Sequence, residues 1–162
     1  MVEKIVVAVT GAPVSERAVR WALQRAQAAP PGTQGIELMS VIGGALGAVG
    51  EAELIAQAVA DTETVLERLA APVRDAGITV MTRVETGNPV SRLIDASVNA
   101  SLLVLGSDYR GPGDGPARGA HGIRIVAGAA CPVVVVPDTA LVGRRGVVVG
   151  VDGSPVSEHA LR

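Results

Sequence analysis

Apolar residues along this chain fall into two kinds of run, and the two kinds alternate. Residues 4–9 (KIVVAV), 36–42 (IELMSVI), 102–105 (LLVL) and 133–136 (VVVV) are short and unbroken, without polar alternation. Such runs suit strands buried on both faces, as in a parallel sheet covered by helices. Residues 78–84 (ITVMTRV) alternate more, which predicts a strand nearer an edge. Between these runs the apolar spacing becomes helical. After Thr10-Gly11-Ala12-Pro13 breaks the first strand, Ser15 and Glu16 open a helix with Ala18, Val19, Ala22, Leu23 and Ala26 on one face and Trp21 at its border. Residues 51–76 predict a long helix with Leu54, Ile55, Ala58, Val65, Leu66 and Leu69 inward; Pro72 is expected to kink or interrupt it one turn before its end and Gly77 to stop it. Thr86-Gly87-Asn88-Pro89 starts a helix over residues 90–99, with Leu93, Ile94 and Ser97 inward, and residues 121–129 form the last helix.

Strand and helix in alternation through five strands predict an α/β fold. The expectation is a five-stranded, mostly parallel, doubly wound Rossmann-like sheet with helices on both faces. In such a sheet the ligand site lies at the carboxyl ends of the strands, where the strand order reverses.

Composition narrows the function classes. One Trp, one Tyr and no Phe leave Val, Leu, Ile and Ala to build the core and supply no base-stacking platform. The net charge of −2 gives no reason to expect nucleic acid or an anionic membrane as partner. A single cysteine excludes an intrachain disulfide and fits a reducing compartment. The apolar opening, residues 1–10, is too short for a signal segment, and no run reaches membrane-spanning length, so the expected location is the cytoplasm.

The chain is organised around residues 102–137: a strand, a loop with glycines at 106, 111, 113, 115, 119 and 122, a helix, then a strand introduced by Cys131-Pro132. Loop amides and a helix N-terminus in that layout can face an anion. The tail adds a second feature. Residues 148–162 (VVGVDGSPVSEHALR) repeat residues 6–20 (VVAVTGAPVSERAVR) at ten of fifteen positions with a constant offset of 142. The repeat predicts one domain over residues 1–138, a linker at 139–145, and the start of a second, truncated copy at 146–162. The tail strand, 147–151, lacks its own sheet; it is expected to be disordered after about residue 141 or to pair with a sheet edge, here or in another chain.

These stretches carry a resemblance. The opening VVAVTGAPVSERAVRWAL is similar to the start of the universal stress protein family, V-A-V-D-G-S-x-x-S-x-x-A-L, and Val151-Asp152-Gly153-Ser154 with Ser157 matches it more closely. Thr86-Gly87-Asn88-Pro89, residues 102–107 and residues 131–137 resemble later junctions and strands of that family, in the right order. The resemblance implies an adenine nucleotide alpha hydrolase-like fold, a stress-response role, and a homodimer. It also implies ATP or a related adenine nucleotide as ligand, with Mg²⁺ as companion.

The family's nucleotide-binding branch carries G-x2-G-x9-G-[ST]. Laid on this chain, its first and third glycines are Gly106 and Gly119, while Tyr109 replaces the second and Ala120 replaces the hydroxyl residue. Thr10 stands where the first strand of the family ends in Asp. Tyr109 puts bulk where backbone would approach a phosphate, and Ala120 lacks a donor. The implied nucleotide-binding residues are Val9, Thr10, Gly11, Val41, Gly106, Ser107, Tyr109, Arg110, Arg118, Gly119, Ala120 and His121. Binding is expected to be weak.

The alternative is a non-nucleotide-binding dimerisation domain of a tandem protein whose second copy, with Asp152, binds the ligand. An enzyme of the same α/β type is a third reading. No catalytic residue is expected: the chain has no metal-ligand cluster, no credible Ser–His–Asp set, and no base or Mg²⁺-binding carboxylate evident in the loop, so any ATP hydrolysis would be weak. Cys131 reads as a small buried residue, His121 as a helix-start residue, and Lys4, the only lysine, excludes a P-loop.

Overall fold

The computed structural model describes residues 2–43, 51–107, 120–138 and 148–151, with residues 154, 155 and 158. Strands and helices alternate as β1 (Glu3–Ala8), α1 (Pro13–Gln27), β2 (Gln34–Ile42), α2 (Glu51–Asp75), β3 (Val80–Thr86), α3 (Pro89–Ser97), β4 (Leu102–Gly106), α4 (Ala120–Gly128) and β5 (Val133–Val136). All ladders are parallel and the order is β3-β2-β1-β4-β5, so β1 is central. The chain winds outward from β1 to β3, then returns past β1 to lay down β4 and β5. The strand order therefore reverses between β1 and β4, whose carboxyl ends border a crevice.

The unbroken apolar runs serve both faces of the sheet, as the pattern predicts. Ile5, Val7 and Val9 with Ile36 and Leu38 pack against Ala18, Val19 and Ala22 of α1 and Leu66, Leu69, Ala70 and Val73 of α2. The alternate residues Val6, Ala8, Met39, Leu103 and Leu105 pack against Val90, Leu93 and Ala96 of α3 and Ile125 of α4. Trp21 lies at the border of the first cluster. The alternating strand, β3, is an edge: Met81 is 64% exposed, and Arg83 and Glu85 stand on the same face. There Glu37, buried on β2, forms close ion pairs with Lys4 (2.8 Å) and Arg83 (2.7 Å), at angles outside hydrogen-bond geometry. Charges on that face guard the edge against pairing.

Several expectations are corrected. Pro13 opens α1 rather than preceding it, as suits the first helical position, where a proline lacks nothing the helix needs. Pro72 does not interrupt α2, which runs on to Asp75. The proline ring is exposed, and Ala70 and Val73 on the opposite side are fully buried, so packing holds the helix through one missing hydrogen bond. Leu54 is 73% exposed and does not join the packed face; contact with the sheet begins near Val65 and Leu66. In the tail, Val148 is 98% exposed and residues 148–151 take no strand, so pairing with an edge of the chain's own sheet is not realised. Instead the Glu158 N–H donates to the Ser154 carbonyl at 3.1 Å, a helical turn at Pro155, the counterpart of Pro13.

Candidate functional site

A cleft of about 240 Å³ opens where the strand order reverses. Thr10, just past β1, and Gly106, the last residue of β4, form its base; Val14 and Ser15 of α1, Pro89 and Leu93 of α3, and His121, Gly122 and Ile125 of α4 form its walls. The turn from β1 into α1 is built locally. Gly11 takes a φ of +74°, a conformation that costs glycine little. Ala12 supplies no side-chain cap to α1. Ser15 works on the preceding turn instead: its buried hydroxyl accepts from the Thr10 N–H at 3.0 Å and lies 3.3 Å from the Thr10 hydroxyl.

On the opposite wall, Asn88 caps α3, accepting from the amides of Val90 (2.9 Å) and Ser91 (3.2 Å). This is the role expected of an Asn before a helix-opening proline. α4 starts at Ala120, and a helix N-terminus carries the positive end of the helix dipole. With His121 and Gly122 lining the cleft, that end of α4 suits an anion.

The sequence-derived residues are only partly brought together. Thr10, Gly106 and His121 meet at the cleft. Val9 and Gly11 line a second cavity on the other side of β1. Val41 is partly buried against the α3 and α4 cluster. The Ser107 N–H donates to the Val136 carbonyl at 2.7 Å, tying the exit of β4 to β5. Tyr109, Arg110, Arg118 and Gly119 lie outside the described residues; Ala120 is described as the first residue of α4.

Gly106 has a packing reason of its own: a Cβ there would meet the Val14 methyls at 2.8 and 2.9 Å. Its retention therefore follows from the approach of α1 to β4 whether or not a phosphate binds. Val14, Pro89, Leu93 and Ile125 line the cleft without having been expected there. Of these only Leu93 stood on an expected inward face, as a core position of α3. Cys131 is half-buried rather than buried, and burial pushes its thiol pKa up.

Among the described residues lining the cleft, His121 is the one titratable side chain; the walls are otherwise largely apolar. Among the described residues of the cleft no hydrogen bond pairs a nucleophile with a base. An anionic group fits the start of α4. For a divalent cation, no group of three or more His, Cys, Asp or Glu that could hold one occurs among the described residues. No helix among them is long and apolar enough to cross a membrane.

Known proteins resemble this chain in both sequence and fold. A universal stress protein of Mycobacterium tuberculosis is 36% identical over 90 residues, covering 53% of this chain and 30% of the relative's own length. Among solved structures, the universal stress protein UspA from Lactobacillus plantarum superposes with a TM-score of 0.70 at 19% identity, covering 83% of this chain and 97% of that one. A universal stress protein family protein from Arabidopsis thaliana with AMP bound gives a TM-score of 0.65 at 21% identity, covering 85% and 93%. At these identities the structures show the fold. The model of the universal stress protein family matches residues 1–137, nearly the whole of the α/β domain, and the chain belongs to that family.

Proposed function

We propose that this chain binds ATP or a related adenine nucleotide, weakly, in the cleft between β1 and β4, as a regulatory stress-response domain rather than an enzyme. The observation that carries the reading is the cleft itself. It lies at the reversal of strand order and is floored by Thr10 and Gly106. The first turn of α4 borders it through His121 and Gly122. The AMP-bound relative from Arabidopsis supports an adenine ligand. In this reading Ser107, Tyr109, Arg110, Arg118, Gly119 and Ala120 belong to the phosphate side, and Mg²⁺ accompanies ATP. We further propose a cytoplasmic homodimer, for which β5, an edge strand among the described residues, with its exposed Val135 is a suitable contact. Residues 139–145 are read as a linker to a second domain that starts at 146.

Calorimetric titration with ATP–Mg²⁺ tests the reading. The expected Kd is roughly 1–100 μM, about −8 to −5.5 kcal/mol. At a Kd of 100 μM, about 1 mM ATP stabilises the fold by roughly 1.4 kcal/mol, a shift that a thermal melt detects. No heat and no thermal shift at that concentration would sink the proposal. Tyr109→Gly with Ala120→Ser should raise affinity by restoring backbone access and a hydroxyl donor.

A second reading has one observation in its favour. The close approach of Val14 accounts for Gly106 without any ligand. The domain would then serve dimerisation alone, with ligand binding left to the second copy and its Asp152. Silence in the titration, together with a dimer in sedimentation, is the result this reading expects.

A further inference from the structure

The amino ends of β1 and β2, at the pole of the sheet away from the cleft, border a separate cavity of about 520 Å³. Glu3 and Gln34, the first residues of the two strands, are register partners and line it together. Ala28 and Ala29 at the end of α1 form another wall, and the turn into β2 completes it. The polar groups of that turn are matched within it. The Thr33 amide and hydroxyl both donate to the Pro30 carbonyl, at 3.2 and 2.6 Å, and the Thr33 carbonyl accepts from the Glu3 amide at 2.8 Å. Gln34 is the exception. Its side chain is buried, with 8% of the residue exposed, and its amide nitrogen donates to Glu3 Oε2 at 3.0 Å. A carboxylate can only accept, so this bond fixes the amide nitrogen on the Glu3 side and leaves Oε1 facing elsewhere. Among the described residues Gln34 Oε1 has no hydrogen-bond partner. A buried acceptor left unmatched beside a cavity calls for an explanation.

The charges around the cavity select a ligand. The Glu3 carboxylate keeps acceptor capacity beyond its bond to Gln34, and the end of α1 brings the negative end of the helix dipole to the same place. With Gln34 Oε1 these groups favour a cationic donor. Arg25, in the last turn of α1, lines the cavity too, and among the described residues it has no ion-pair or hydrogen-bond partner. A purely cationic ligand would meet Arg25 as a like charge, and a purely anionic one would meet Glu3. A ligand carrying both charges suits both. Ala28, Ala29 and Pro30 leave an apolar wall for a short side chain. We propose that this cavity binds a small zwitterion of the α-amino-acid class, its ammonium between Glu3 and Gln34 Oε1 and its carboxylate on Arg25. The terminal amide torsion of glutamine is soft, so a slight rotation brings Oε1 to the ammonium. The site shares no residue with the cleft between β1 and β4 and does not depend on the nucleotide reading.

The test uses L-valine, titrated into the full chain and followed by saturation-transfer and chemical-shift NMR. Two analogues each delete one charge: isobutylamine lacks the carboxylate, and isovalerate lacks the ammonium. L-Valine is expected to bind with a Kd of roughly 0.1–5 mM, and each analogue at least about tenfold more weakly. Gln34→Leu removes the amide at similar volume and should weaken L-valine by about 3- to 10-fold, the range for one lost hydrogen bond. Glu3→Gln, at an exposed position, should weaken it by at least as much and serves if Gln34→Leu disturbs the fold. Arg25→Gln, also exposed, should erase the preference for L-valine over isobutylamine without weakening isobutylamine itself, a change that a merely structural role would not produce. No saturable L-valine binding up to about 20 mM overturns the site. So does equal binding of L-valine and both analogues, or binding that none of the three variants changes.

Discussion

Gly106→Ala tests whether the first glycine of the loop signature is held by packing. The added Cβ would meet Val14 Cγ1 at 2.8 Å and Cγ2 at 2.9 Å, with the Val14 backbone carbonyl carbon at 3.3 Å. Val14 cannot swing its methyls away cheaply, because a β-branched side chain in a helix has one strongly preferred rotamer. The backbone carbon moves only if the start of α1 moves. Overpacking of this kind costs about 1–3 kcal/mol. Against it stands the entropy that alanine removes from the unfolded chain, worth roughly 0.4–1 kcal/mol of stabilisation. The clash wins, and a net loss of about 0.5–2 kcal/mol is expected. Urea denaturation should show a lower midpoint at unchanged slope. Adding Val14→Ala makes room for the new methyl, so the double variant should lose less than the two single losses combined, with a coupling of about 0.5–2 kcal/mol. A Gly106→Ala midpoint equal to that of the parent, or strict additivity in the cycle, would refute the packing argument. Gly106 would then have no account short of a ligand.

Two other perturbations can be read from the structure. Asn88→Ala removes the acceptor for the Val90 and Ser91 amides, and should cost about 0.5–2 kcal/mol in chemical denaturation; Asn88→Ser should recover most of that. Burial raises the pKa of the Cys131 thiol, against opposing backbone hydrogen bonds from Leu103 and Cys131 itself. Folding therefore favours the protonated thiol. This small contribution is complete below the unfolded thiol's pKa, about 8.5, and is lost as pH rises through the higher folded value. Iodoacetamide alkylation should accordingly reach half-maximal rate at higher pH in the native chain than in urea; an equal or lower midpoint contradicts the assignment.

The fold could be read from the sequence to the extent that each element states its own burial. Three of the unbroken apolar runs became strands covered on both faces, and the alternating run became the edge strand β3; the fourth unbroken run became β5, the other edge, where Val135 is exposed. The start of α3 at Asn88-Pro89 also read well, because a helix and the residues that open it are neighbours in sequence. Reading failed where a residue's fate depends on something distant. Leu54 has the same helical spacing as Leu66, yet only the latter part of α2 lies over the sheet. Pro72 carries the usual helix-breaking signal, but buried Ala70 and Val73 hold α2 in place around it.

The candidate site divides in the same way. The sequence alone marked Thr10, Gly106 and His121 as residues of one site, since the resemblance orders them along the chain. It had no means of showing that Ser40 faces α2 while Val41 faces α3, or that Val14 presses on Gly106. Those facts depend on where β2 enters the sheet and how closely α1 crosses β4. Neighbours in a strand point to opposite faces, and only the assembled sheet decides which face meets a cavity and which meets the core. Apolar periodicity is a property of each segment, whereas a cavity wall or a close approach is a property of pairs that the chain separates and the fold brings together.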